Sequence, residues 1–165
     1  MNIGIFTGLS NRKIQSSDPI DESTLLEGFE SWSMGLPDTL GFALGSGLVT
    51  QSTSHVTEGT YSCRMQDDME GNPALELDGV DLSQYTTLYL DYFSVTVPEG
   101  SDGVHLYAQS GDGSDAVFAL GATIGSSDTI ELDISTLTDP SNAYLEINCN
   151  ASGVWDAFID NLRAS

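Results

Sequence analysis

Short runs in which hydrophobic and polar residues alternate recur through most of the chain. A period of two marks a strand with one face buried and the other wet. Thr87 to Val97 (TLYLDYFSVTV) is the strongest run, filled with β-branched and aromatic residues. Leu88, Leu90 and Tyr92 share one of its faces, and Tyr89, Asp91 and Phe93 share the other. Thr129 to Ile134 and Ala143 to Cys149 alternate as cleanly. Ser62 to Gln66, Ala74 to Asp78, Val104 to Gln109, Ala116 to Leu120 and Trp155 to Leu162 complete the set. Clusters of Gly, Asp, Ser and Pro, such as residues 98–103 (PEGSDG) and 110–114 (SGDGS), separate the runs and carry turn chemistry. No long helical period appears; a single turn is expected at Asp133 to Leu137. The pattern predicts an all-β chain, an antiparallel β-sandwich of two sheets.

Charge divides the chain unevenly. Residues 1–21 hold Arg12 and Lys13 against Asp18 and Asp21, while residues 22–165 hold the other 23 acids against Arg64 and Arg163. The formal net charge of −21 therefore belongs to the body. Residues 1–21 read as an extended N-terminal arm, and 22–165 as one sandwich domain large enough for its own core. So acidic a body repels nucleic-acid phosphates and anionic membrane surfaces. No apolar stretch is long enough to span a bilayer. The start of the chain lacks the charged and apolar regions of a secretory leader, which sets the expectation of a chain made in the cytoplasm.

Catalytic chemistry is sparse. His55 and His105 are the two histidines, and no nucleophile elbow or zinc spacing accompanies them. Asp67, Asp68 and Glu70 read as a solvated loop, and carboxylates are too common here for a glycosidase pair to be read by counting. Cys63 and Cys149 lie far apart in apparent strands; buried free thiols are expected over a disulfide. Exposed aromatics are the other candidates, as stacking platforms for sugars. Trp32 and Tyr89 are the candidate ligand-binding residues, with His105 and Tyr107 on a second strand face.

Several segments resemble jelly-roll carbohydrate-binding modules. Leu25 to Trp32 (LLEGFESW) resembles their opening strand, Val56 to Ser62 (VTEGTYS) a strand entry, and Asp81 to Asp91 (DLSQYTTLYLD) a central segment echoed by Glu131 to Leu137. Phe158 to Arg163 (FIDNLR) resembles their closing strand. The resemblance covers about residues 25–163 and implies a jelly-roll sandwich. It also implies a structural Ca²⁺ bridging first and last strands, with Glu30 and Asp160 as carboxylate ligands.

Two functional expectations follow, neither of them enzymatic. In the first, the arm anchors the domain to a larger protein assembly, a capsid or tail, as a virion-surface display protein in a homo-oligomer or hetero-complex. Ile3, Ile5, Phe6, Leu9 and Ile14 would supply apolar contacts, and Arg12 and Lys13 would pair with partner acids. In the second, the chain is a calcium-stabilised carbohydrate-binding module of a secreted glycan-active enzyme, working outside the cell. The two overlap, since a displayed module also meets surface glycans.

Overall fold

A computed structural model describes residues 23–33, 35–66, 72–95, 103–150 and 156–165. The arm, and with it Ile3, Ile5, Phe6, Leu9, Arg12, Lys13 and Ile14, lies outside the described residues, as do Asp67, Asp68, Glu70 and Trp155. Thirteen strands are described: β1 (Thr24–Glu27), β2 (Trp32–Ser33), β3 (Leu36–Pro37), β4 (Ala43–Ser46), β5 (Leu48–Ser52), β6 (Ser62–Gln66), β7 (Ala74–Val80), β8 (Thr87–Ser94), β9 (Gly103–Gln109), β10 (Ala116–Gly121), β11 (Ser127–Asp133), β12 (Ala143–Asn150) and β13 (Asp156–Ala164). The one helical element among the described residues is a 3₁₀ turn, Pro140–Asn142. The turn expected just before it is present as well, where the Leu137 amide donates to the Ile134 carbonyl at 3.1 Å.

The strands form two main sheets, as the alternation predicts. One is six-stranded in the order β11-β8-β13-β6-β5, with β1 added beside β13; the other is five-stranded in the order β10-β9-β12-β7-β4. All strand pairs are antiparallel. From β6 to β13 the chain changes sheet at every connection except the β9–β10 hairpin. The N-terminal half changes sheets at a sharper corner. β4 belongs to one sheet and β5 to the other, with only Gly47 between them. Gly47 has φ 68°, and a Cβ there would lie 2.5 Å from Pro73 Cα, so the corner admits glycine alone.

The core is the space between the sheets. Leu88, Leu90 and Tyr92 of β8, Cys63 and Met65 of β6 and Ile159 of β13 face Leu75 of β7, Leu106 of β9 and Leu145, Ile147 and Cys149 of β12. Burial of this many aliphatic side chains, at roughly 1.5–3 kcal/mol each, is the main drive to fold. Cys63 and Cys149 are buried free thiols, with Cys149 Sγ 3.6 Å from Met65 Sδ. Burial pushes both thiols well above the ordinary range, so neither is a ready nucleophile.

Beyond the core each sheet has an outer face, and the two are treated differently. Residues 53–61 form a strap that lies across the six-stranded sheet. The His55 ring stacks on Phe93 at 3.6 Å and touches Phe158 at 4.6 Å. The Thr57 and Glu58 amides donate to Asp160 Oδ2 at 2.7 and 2.9 Å. The Thr57 hydroxyl lies between Asp160 Oδ2 (3.1 Å) and Asp91 Oδ2 (3.0 Å). Farther along, the Thr60 and Tyr61 amides donate to Glu30 Oε1 at 2.7 and 2.8 Å.

Candidate binding face and its relatives

The open surface is the outer face of the five-stranded sheet. On β9 the inward residues are Val104, Leu106 and Ala108, so His105, Tyr107 and Gln109 point outward. On β12 the inward residues are Leu145, Ile147 and Cys149, so Tyr144, Glu146 and Asn148 point outward. The antiparallel register aligns these residues into rungs across the sheet. One rung runs Phe118, Tyr107, Glu146, Glu76, Ala43. A second runs Leu120, His105, Asn148, Ala74, Ser46. A third runs Ala116, Gln109, Tyr144 and ends at Asp78 and Gly79, where a register shift in the β12–β7 pair lets Tyr144 span two residues.

Two grooves indent this face. One, of about 480 Å³, lies at the third rung between Asp78, Gln109, Asn142 and Tyr144, with Gly111 and Gly113 on its wall. The other, of about 260 Å³, lies at the second rung between Ser46, Asn72, His105, Glu146 and Asn148. The ridge between them carries Tyr107 and Glu146. From Tyr144 to Asn148 the strand rises roughly 13 Å, so the two grooves together match a short extended ligand. The edge is rimmed by Phe118, which is 69% exposed. Gly45 at the opposite edge makes room for the Glu76 side chain, whose carboxylate a Cβ there would meet.

The central side chains hold one another in place. The Tyr144 hydroxyl donates to Glu146 Oε2 at 2.8 Å, and the Asn148 amide donates to Glu146 Oε1. The Tyr107 and Tyr144 rings meet edge to face, with centroids 6.0 Å apart and planes at 69°. Sugars present apolar C–H faces ringed by hydroxyls. A fixed aromatic pair beside carboxylate, amide and imidazole groups suits both features, stacking the one and hydrogen-bonding the other. Burial, the bond to Glu146 and the charges of Glu146, Glu76 and Asp78 all push the Tyr144 phenol up from its usual value of 10.0.

Of the residues singled out from the sequence, His105 and Tyr107 stand on this face, while Trp32 and Tyr89 do not. Trp32 is in the small β2–β3 hairpin, packed against the core, and its Nε1 donates to the Phe29 carbonyl at 2.6 Å. Tyr89 is on the outer face of the six-stranded sheet, with the Arg163 guanidinium 5.5 Å from its ring centre. The structure brings these two neither to each other nor to the grooves. Glu30 and Asp160 both hold the strap through its amide hydrogens, and Asp160 shares the Thr57 hydroxyl with Asp91. Among the described residues no three His, Cys, Asp or Glu side chains gather in one cluster. Two carboxylates would supply part of the six to eight oxygens that Ca²⁺ takes, with carbonyls and water supplying the rest. The alternation of Ala143 to Cys149 already placed Tyr144, Glu146 and Asn148 on one face. Their side-by-side position with His105 and Tyr107 emerges only from the β9–β12 register.

No protein-family model matches the chain, and no curated protein matches it in sequence. Solved structures match it in fold. One, from work on the promiscuous specificity of carbohydrate-binding modules of the β-sandwich superfamily, is 17% identical with a TM-score of 0.58, covering 86% of this chain and 62% of that longer one. The family 11 carbohydrate-binding module of the Clostridium thermocellum cellulase Lic26A-Cel5E is 14% identical (TM-score 0.55), covering 86% of this chain and 93% of that one. The CBM22-1 xylan-binding domain of Paenibacillus barcinonensis Xyn10C is 12% identical (TM-score 0.56), with the same two coverages. The chain thus has the β-sandwich fold of carbohydrate-binding modules.

The Tyr144 shift has a measurable sign. A raised phenol pKa contributes stability that is whole below the ordinary tyrosine range and is lost as pH rises through the raised value, because the unfolded chain loses its proton first. Ultraviolet titration should show one tyrosine ionising later than the others, absent in Tyr144→Phe. An unchanged titration in that variant would contradict the raised phenol that burial and the neighbouring carboxylates give Tyr144.

Proposed function

We propose that this chain is a non-catalytic carbohydrate-binding module that works outside the cell and takes an extended glycan across the outer face of its five-stranded sheet. One observation carries the reading. Both sheets have aromatic outer faces, but His55 and Thr57 of the strap occupy one, while Tyr107 and Tyr144 stand beside open grooves on the other. The sandwich modules of similar fold support the same reading. The rival reading, an arm-anchored display protein on a virion, rests on residues 1–21, which lie outside the described residues, and no comparison supports a viral setting.

A glycan array followed by calorimetry on the strongest binder tests the proposal. Tyr107→Ala and Tyr144→Ala should each weaken binding at least tenfold, a loss of about 1.4 kcal/mol, with circular dichroism unchanged. Tyr89→Ala, on the other sheet, should bind as the parent does. A panel without any binder, or a loss confined to Tyr89→Ala, would overturn the assignment.

A second reading, structural calcium, is favoured by the convergence of Glu30 and Asp160 on one short stretch, residues 57–61. The ion would need oxygens where amide hydrogens now point, so its binding would turn the strap backbone. A melting temperature that rises with calcium and falls back with chelator, in the parent but not in Glu30→Gln or Asp160→Asn, supports the ion. A melting temperature indifferent to calcium removes it.

A further inference from the structure

The described basic residues are placed unequally on the two sheets. Arg64 is on β6 and Arg163 on β13, both in the six-stranded sheet. Arg64 pairs with Asp156 at 2.5 Å and Arg163 with Asp91 at 3.0 Å. The five-stranded sheet carries no lysine or arginine among its described residues, and His105 is the one basic side chain on its outer face. On that face three carboxylates, Glu76, Asp78 and Glu146, stand beside the Tyr107–Tyr144 pair rather than being scattered at the rim. Their fields converge on one point. All three act on the Tyr144 phenol, which lies on the groove floor.

Aromatic faces beside carboxylates are the combination that holds an ammonium group. The ring attracts the cation through its quadrupole, and the carboxylates attract it through charge and accept its hydrogens. The same carboxylates accept hydrogen bonds from neutral hydroxyls, so an uncharged sugar loses nothing here. A uronate or sulfate would bring like charge into a groove without an arginine or lysine to meet it, at a cost in affinity.

We propose that the grooved face sorts glycans by charge: chains bearing free amino groups, such as β-linked glucosamine oligomers, bind more tightly than uncharged chains of the same backbone, and anionic chains are rejected. Glu76, Asp78 and Glu146 are the residues that set this order. The inference rests on the glycan-binding reading above and adds the ligand's chemical class to it.

Matched oligosaccharides test it. Calorimetry compares a cello-oligosaccharide, the glucosamine oligomer of equal length and linkage, and a glucuronate-bearing oligosaccharide, at low salt and below the amine's pKa. The amino oligomer should bind at least tenfold more tightly than the cello-oligosaccharide, and added salt should shrink that advantage as it screens the charges. The anionic chain should not bind. A protein of net charge −21 also attracts cations without any site, so two single-charge variants separate the cases. Asp78→Asn, in the groove, should lower the amino oligomer's affinity several-fold. Glu131→Gln, on β11 of the other sheet, should leave it unchanged. Equal affinity for the amino and neutral chains, binding of the anionic chain, or equal losses in both variants would overturn the charge filter, while a neutral chain that still binds keeps the glycan-binding reading intact. Failure of all three chains and of the glycan array together would bring down both.

Discussion

A carboxylate taken out of water must be given hydrogen-bond donors, and Asp160 is 1% exposed in the central strand of the six-stranded sheet. The fold meets this demand with backbone. The Thr57 and Glu58 amides and the Thr57 hydroxyl come to Oδ2, and the Asn161 amide comes to Oδ1 at 2.8 Å. Asn161 reaches that place through a positive φ of 53°, at a register shift in the β13–β8 pair. Beside it Asp91 receives the Asn161 side-chain amide at Oδ2 and the Thr129 hydroxyl and the Arg163 guanidinium at Oδ1, and it shares the one Thr57 hydroxyl hydrogen with Asp160. The buried acids are thus satisfied by the strap, by two neighbouring strands and by one arginine. Their removal one at a time would leave the remaining partners unsatisfied, which costs more than the net worth of any single bond.

This arrangement decides which outer face of the sandwich is covered. By holding the strap down, Asp160 and Glu30 also hold His55 against Phe93 and Phe158, so the aromatic surface of the six-stranded sheet is spent on the protein itself. Among the described residues the five-stranded sheet has no such cover. Its outward rungs keep half-buried aromatic and polar side chains above a floor whose other face is core, and the Tyr144–Glu146–Asn148 bonds fix their orientation. Preorganisation of this kind spares the ordering entropy that a loop-borne site loses on binding.

Most of the sandwich was legible in the sequence because burial imposes a period of two. The two faces of β8 were read residue by residue, and the structure turns Leu88, Leu90 and Tyr92 inward and Tyr89, Asp91 and Phe93 outward. β4 and β5 were not read as strands. β4 is exposed along its whole length and β5 is an edge strand, so neither has a clear buried stripe, and glycines interrupt both ends of their junction. The choice of binding face was beyond local reading for a different reason. Alternation gives each sheet an aromatic outer face, and what distinguishes them is a contact between Thr57 and Asp160, 103 residues apart in the chain. Phe93 and Tyr107 therefore look equivalent in sequence and differ once His55 of the strap stacks on Phe93.

The central claim is that the strapped sheet is closed and the five-stranded sheet binds. Amide chemical-shift mapping during titration with a bound oligosaccharide addresses both halves at once. The account predicts perturbations concentrated in residues 74–80, 103–109 and 143–149, with residues 53–61 and the outer residues of β8 and β13 unmoved. Perturbations centred on the strap, Tyr89, Phe93 and Phe158, with the five-stranded sheet silent, would contradict it.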